Sequence, residues 1–406
     1  GLSLYGVTYA VYMLADLVAL QWSSETADRY GVRRPFLVSV ALFVIGLLIA
    51  ASAPTMELVV LGRGLQGAGS GGFAPLTFIT VQRAFPESRR ASLFALLSAG
   101  WVLPTLIAPA ISGLVTDHFG WRLVFLGILP IALAVATVTS RAMVAVPPPD
   151  LAVERRASLL PNSARTAIGI AMVAFGAQFA QWWLAAGLCI SGSAIAAKPL
   201  RSLLPKGFFR ARSGLAAIMV VRFLSTAMFL GVDSFVPLAA DRLHGARPIV
   251  QGFTIAGAAV LWSLGQAFAA RRGTRLLPSR GAAIGFALML IGAGATVPVI
   301  APSWPLWATF ISWSVAGFGM GIIFNPTTVS AMTYADDSRE GEIGGQLHLA
   351  DSLGFGCMSI LGGATVAIAD RTSFSLQGAL GTNFSMALIC GVIGLIVAHR
   401  VHARTT

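Results

Sequence analysis

Ionisable side chains are scarce inside the apolar runs of this sequence. Those present, Asp16, Asp233, Asp351, Arg63, Arg222 and His348, are the groups that could do chemistry there. A charge in hydrocarbon is costly and is retained where it pairs, carries a proton or meets a ligand. At about 1.5 Å per residue, Arg222 lies about 14 Å into its helix from the basic end and Asp351 about 12 Å into its own, so the two can share a depth and form a salt bridge. His348 precedes Asp351 by three residues, on the same helical face, and could share or relay a proton. The residues alone leave three readings open, a proton-coupling site, a purely structural buried pair and side chains that snorkel on the lipid side. Arg63 and Asp16 differ in expected depth by about 12 Å, which speaks against a direct bridge. Asp233 falls near the outer end of its span, where water could solvate it.

The elements that must position these groups are membrane helices. With 406 residues, 56% of them hydrophobic and 11% charged, and a mean hydropathy of +0.78, the chain fits no water-soluble fold and therefore no soluble enzyme. A hydrocarbon core of about 30 Å takes about 20 apolar residues per helix. On that rule the candidate spans are about 4–22, 36–54, 57–82, 91–115, 122–142, 165–180, 182–198, 213–238, 250–270, 281–300, 305–332, 343–369 and 379–399. The pair at 165–198, split at Gln181-Trp182-Trp183, could also be one tilted helix.

Basic residues set the orientation. If Ser23–Pro35 is cytoplasmic and the spans alternate, the outer loops keep only Arg122, Arg242, Arg247 and Arg371, and Arg63 and Arg222 lie within spans; the rest of the 28 Lys and Arg fall on the inner side. This places Thr406 in the cytoplasm and the protein in the cell (inner) membrane as a multi-pass chain. Gly1 would start outside, an odd count that a further N-terminal helix would correct. The net charge of +12 thus follows from topology, and no nucleic-acid partner is expected.

Enzyme chemistry is not indicated. Cys189, Cys357 and Cys390 sit singly in apolar runs without metal spacing, and His118, His244, His348, His399 and His402 show no H-x-x-x-H or H-E-x-x-H pattern. No G-x-x-x-x-G-K-[ST] loop is present, so ATP drive is not expected either. Neither a catalytic group, a metal nor a cofactor is expected.

The chain also repeats itself. A shift of 250 residues matches Gly67, Gly69, Gly71, Ser88 and Arg89 with Gly317, Gly319, Gly321, Ser338 and Arg339, and each glycine-rich helix carries a proline, Pro75 and Pro326. Repeated halves around a midplane site are the build of secondary transporters.

Several motifs carry a family resemblance. The run Asp28-Arg29-Tyr30-Gly31-Val32-Arg33-Arg34 resembles the G-x-L-A-D-R-x-G-R-R loop of the major facilitator superfamily, with Ser24 and Thr26 as departures. Asp28 near a helix start, Gly31 at the turn and Arg33 and Arg34 at the inner surface would then form, with Arg29, a conformational latch. Arg63-Gly64-Leu65-Gln66-Gly67-Ala68-Gly69 is similar to the R-x-x-Q-G-x-G signature of drug:proton antiporters. Gly100 and Ala108-Pro109-Ala110-Ile111-Ser112-Gly113 resemble the antiporter G-P-x-x-G-G motif, in which the proline kinks the fifth helix. Trp121-Arg122-Leu123-Val124-Phe125 is similar to the segment entering the sixth helix.

The resemblance implies an all-α integral membrane fold of two pseudo-symmetric six-helix bundles with two extra helices between them, the 14-span branch, and a first helix, normally bearing an acid, that this sequence does not show. The expected organisation is an N-terminal bundle at 1–142 (spans two to six), a cytoplasmic linker at 143–164, additional helices at 165–199 and a C-terminal bundle at 200–406. The expected activity is proton-coupled efflux of hydrophobic or amphipathic small molecules by alternating access, with a lipid transporter or a proton-coupled metabolite symporter as the alternative. The resemblance implies a functional role for Arg63. Apolar and amide groups, Gln66, Met228, Trp262, Gln266, Trp313 and Asn325, are expected to line the cavity and to accept lipophilic ligands of varied shape. The expected partners are such a small-molecule or lipid substrate, protons and the bilayer, with the protein a monomer.

Overall fold

The computed structural model describes residues 4–86, 111–147, 158–176, 179, 181–334 and 340–402, together with 89, 93 and 108. Regular structure among the described residues is helical throughout. In chain order the helices are α1 (Tyr5–Tyr30), α2 (Arg33–Ser52), α3 (Met56–Ser70), α4 (Phe73–Ala84), α5 (111–119), α6 (Arg122–Ala142), α7 (Leu160–Gly176), α8 (Trp182–Leu203), α9 (Leu215–Asp233), α10 (Val236–His244), α11 (Pro248–Arg272), α12 (Pro278–Thr296), α13 (Leu306–Met332), α14 (Glu340–Arg371) and α15 (Leu376–Ala398). Among the described residues nine helical stretches are both long and apolar enough to cross a membrane. Prolines at the first position of α11 and α12 start those helices with a pre-set φ and no wasted N–H.

Three boundaries differ from the sequence reading, each for a local reason. The segment read as the loop after α1 is helical up to Tyr30; the turn shrinks to Gly31 and Val32, with Gly31 at φ +82°, a conformation open to glycine at little cost. Asp28 therefore stands in the last turn of α1 and not at a helix start. The run 57–82 is broken at Gly71-Gly72 into α3 and α4, because two glycines weaken the helix where Pro75 displaces the carbonyl of Gly71. The run 213–238 is broken after Asp233, where Pro237 displaces the Asp233 carbonyl in the same way.

The chain divides into two compact units. The first holds α1–α4 and α6–α8, and the second holds the described part of 102–117 and α9–α15. In the first, α3 packs between α1 and α2; in the second, α13 packs between α11 and α12. The glycine repeat explains the correspondence. A methyl group on Gly67 or Gly71 would overlap the backbone carbonyl of Tyr12 or Asp16, and one on Gly317 or Gly321 would overlap that of Ala258 or Trp262. Gly69 lies against Ser39 and Phe43 of α2, and Gly319 against Gly285 and Met289 of α12. The same backbone approaches recur in both units, so the glycines are needed for contact distance between helices.

The two additional helices belong to the first unit. α7 packs on α8 and on α1, and its start is held by Glu25 of α1. The Glu25 carboxylate accepts bonds from Ser158 Oγ at 2.6 Å and from the backbone N–H of Leu159 at 3.0 Å and Leu160 at 3.2 Å. Gln21 Nε2 adds a fourth bond at 2.8 Å. Partial burial pushes the Glu25 carboxyl up, but the bonds from Ser158, Gln21, Leu159 and Leu160 outweigh it and hold it below the usual glutamate range.

Candidate functional site

In the second unit, α9 and α14 bring Arg222 and Asp351 together. Arg222 Nε donates to Asp351 Oδ1 at 2.8 Å and Arg222 Nη2 donates to Oδ2, a bidentate ion pair with Arg222 only 3% exposed. The guanidinium has further partners on α13: Nη1 donates to Thr328 Oγ1 at 2.8 Å and to the Phe324 carbonyl at 3.3 Å, and Cζ lies 3.4 Å from the centroid of the Phe324 ring. Thr226, one turn above Arg222, directs its hydroxyl to the Arg222 carbonyl and to Asp351 Oδ1, the latter at 3.4 Å. His348 lies one turn before Asp351, half-buried and engaged in contacts of its own.

A stack of aromatic rings leads from this pair to Asp233. Phe324 meets Trp262 edge to face at 5.6 Å, Trp262 meets Phe229 at 5.5 Å, and Phe229 stacks on Trp313 at 4.9 Å. Trp313 Nε1 donates to Asp233 Oδ1 at 2.6 Å. Arg222, Thr226, Phe229 and Asp233 follow each other at steps of four, three and four on α9, so one face of that helix carries the whole series. Asp233 is thus bonded, at the helix break near the span end, to a fully buried indole.

In the first unit, Asp16 and Arg63 each have partners of their own. Asp16, 8% exposed, accepts a bond from Ser70 Oγ at 2.9 Å. Arg63 lies 4.2 Å over the Tyr12 ring and donates to Gln66 Oε1 at 2.8 Å. Gln66 Nε2 donates on to the Gly46 carbonyl at 3.2 Å.

Three of the residues expected to line the cavity lie buried between helices in this structure. Gln66, 2% exposed, is committed to the contact between α3 and α2. Met228 is buried against Gly391 of α15, and Trp313 is buried on Phe229 and Asp233. Each faces a helix neighbour because the glycine opposite, or the acid, leaves room for it. Trp262, Gln266 and Asn325 remain half-buried. The Trp262 indole N–H is itself buried and has no acceptor among the described residues.

Of the residues expected to form a latch, Asp28 meets α4. Arg83 Nη2 donates to Asp28 Oδ1 at 2.9 Å and Nη1 to the Ala27 carbonyl at 3.2 Å, so Arg83 caps the last turn of α1. Burial pushes the Asp28 carboxyl above its ordinary value, and the Arg83 cation only partly offsets this. Arg29, Arg33 and Arg34 are exposed, and Arg34 lies 6.0 Å from the Tyr30 ring. Of the expected kink motif, Gly100 and Pro109 lie outside the described residues. Ala108 and Ser112 are helical, and Gly113 packs on the backbone of Pro248 and Ile249 at the start of α11.

Sequence reasoning missed Tyr12, Ser70, Glu25, Arg83, Thr226, Phe324 and Thr328. For Tyr12 and Thr226 a signal existed, the spacing of four residues from Asp16 and from Arg222; the others are reached across tertiary contacts.

An all-helical bundle with a repeated unit and paired charges within its spans is built as a membrane transporter. Residues 1–345 match the family model of the Major Facilitator Superfamily, and the chain belongs to that superfamily, a family of transporters and not of enzymes. It is similar to the probable multidrug-efflux transporter Rv1634 of Mycobacterium tuberculosis, 28% identical over 97% of this chain and 86% of that protein. It is also similar to the methylenomycin A resistance protein of Streptomyces coelicolor, 26% identical over 97% and 83%. Among solved structures, an auto-inhibited POT family peptide transporter superposes with a TM-score of 0.67 at 17% identity, over 99% of this chain and 89% of the other. The nucleoside transporter NupG gives 0.62 at 14% identity, over 97% and 89%. Both show the same fold.

Proposed function

We propose that this chain is a proton-coupled exporter of hydrophobic or amphipathic small molecules, working by alternating access in the cell membrane with its basic ends and C-terminus in the cytoplasm. The observation that carries the reading is the Arg222–Asp351 pair. A proton arriving on Asp351 removes the negative partner, yet Arg222 keeps Thr328, the Phe324 carbonyl and the Phe324 ring. The guanidinium is therefore held in either protonation state, while α14 is released from α9 in only one. A contact with two settings, biased by one proton, is what coupling a gradient to a conformational step requires.

Efflux of drug-like compounds is supported by the relatives' described activities. It is supported as well by the half-buried Trp262, whose unpaired N–H would be satisfied by an acceptor on a ligand. The two units serve as the moving bundles, and the additional helices move with the first because Glu25 fixes α7 to α1. The test is the purified full chain in proteoliposomes with an imposed pH gradient, offered ethidium and a panel of lipophilic drugs and lipids. Accumulation that collapses when a protonophore is added supports the reading, and transport of no compound under any gradient overturns it.

A further inference from the structure

The sequence holds five tyrosines; four stand on α1, and three of these, Tyr5, Tyr9 and Tyr12, occupy its first turns with Asp16 following. Steps of four, three and four residues keep to one helical face, so the phenols and the carboxylate form a single stripe. At about 1.5 Å per residue it runs about 16 Å along the helix. The stripe is joined at both ends. The Tyr5 and Tyr9 hydroxyl oxygens are 3.4 Å apart, with the rings edge to face at 5.6 Å. At the other end Ser70 donates to Asp16 at 2.9 Å, while Arg63 covers the Tyr12 ring. α1 is 26 residues long, ample to cross a membrane, yet it is absent from the nine stretches apolar enough to do so. Polar groups lined up at membrane depth mark an ion or proton route.

We propose that Tyr5, Tyr9 and Tyr12 form a proton path from the outer surface to Asp16, with Ser70 making the last link and Arg63 acting as a positioning residue. The inference rests on the proton-coupled reading above and names the route by which a proton enters the first unit. In the relay Tyr12 gives its hydroxyl proton to Ser70 as Ser70 gives its own to an Asp16 oxygen. The phenolate left on Tyr12 is reprotonated by Tyr9, Tyr9 by Tyr5, and Tyr5 by solvent. Each hop breaks one O–H bond and forms another, no oxidation state changes, and the sum is one proton moved from solvent to Asp16. The Arg63 guanidinium offsets the charge that the departing proton leaves on the Tyr12 oxygen. Among the elements packed on α1, α2 carries charge only at Arg33 and Arg34, α4 only at Arg83, α7 only at Arg165, and α3 at Glu57 and Arg63. Of these, Arg63 lies alongside the stripe.

Phenylalanine separates this role from aromatic packing, since it keeps the ring and the contact with Arg63 and removes the hydroxyl. The full chain is reconstituted in lipid vesicles, the outer pH is dropped, and the infrared carboxylic-acid band that Asp16→Asn removes is followed in time. In Tyr9→Phe and in Tyr12→Phe the band should rise at least tenfold more slowly to the same final amplitude, with melting temperatures close to that of the parent protein. Tyr12→Leu, lacking ring and hydroxyl, should be at least as slow. Rise at the parent rate in both Phe variants, or no band lost in Asp16→Asn, overturns the path. No substrate is needed for this readout, so a failure of drug export in the proteoliposome panel leaves the result legible on its own.

Discussion

Arg222 and Asp351, 129 residues apart in sequence, meet through two nitrogens of one guanidinium and both oxygens of one carboxylate. The pair is asymmetric. Arg222 holds three further contacts on α13, whereas Asp351 is otherwise approached by Thr226 among the bonds described above. Removing the cation should therefore cost more than neutralising the anion. Arg222→Gln is expected to destabilise by about 3–5 kcal/mol, the range for breaking a buried pair, and Asp351→Asn by about half that. The double variant should recover part of the loss. Thermal melting in detergent checks the order, and equal losses for the two single variants would contradict it.

Arg63→Ala should abolish transport while the protein remains folded, because the side chain ties Tyr12 of α1 to Gln66 of α3. Arg63→Lys should retain part of the activity, since it keeps the charge over the ring but not the planar fork that reaches Gln66. Initial rates in proteoliposomes at equal protein content decide this, with normal transport by the Ala variant removing Arg63 from the mechanism.

The repeat glycines make a packing prediction. Gly71→Ala and Gly321→Ala place a methyl group on the carbonyls of Asp16 and Trp262 and should each cost about 1–3 kcal/mol, the usual penalty of overpacking. Gly294→Ala, in α12 with open space around it, should be neutral or slightly stabilising. Melting temperatures of the three variants, measured side by side, test the assignment.

These contacts show what the sequence could and could not disclose. The glycine repeat was legible because packing distance constrains residue type at fixed spacing, and the Arg222–Asp351 pairing because depth in a membrane follows from counting residues. The breaks at Gly71-Gly72 and after Asp233 were not, since membrane helices tolerate Gly and Pro and only packing decides which proline interrupts. Nor was the bond from Trp313 to Asp233, whose partners lie 80 residues apart and leave no local pattern. Asp28 was misplaced because a motif fixes residue order and leaves open where the helix ends. Glu25 stands among the motif residues, but the partners that give it a docking role, Ser158, Leu159 and Leu160, lie more than 130 residues away.

The Glu25 carboxylate ties α7 to α1 with a depressed proton affinity, so the sign of its pH effect is fixed. Its contribution is fully present above the ordinary glutamate value and is lost as pH falls through the lower folded value. Amide protection at Leu159 and Leu160 should therefore hold in mildly acidic solution, decline once the pH falls below the ordinary glutamate value, and recover on return to neutrality. Glu25→Gln should show reduced protection at neutral pH and lose that acid dependence. An unchanged profile in the variant would contradict the docking role.

Asp351→Asn, compared with the parent chain in the same proteoliposomes, tests the central claim most directly. Asparagine stands in for the protonated acid, so exchange of a transported compound across vesicles at equal pH should stay within about twofold of the parent. Accumulation driven by a pH gradient should fall at least tenfold, more than about 1.4 kcal/mol of lost coupling. Gradient-driven accumulation equal to that of the parent would contradict the account and leave Arg222 and Asp351 a structural bridge.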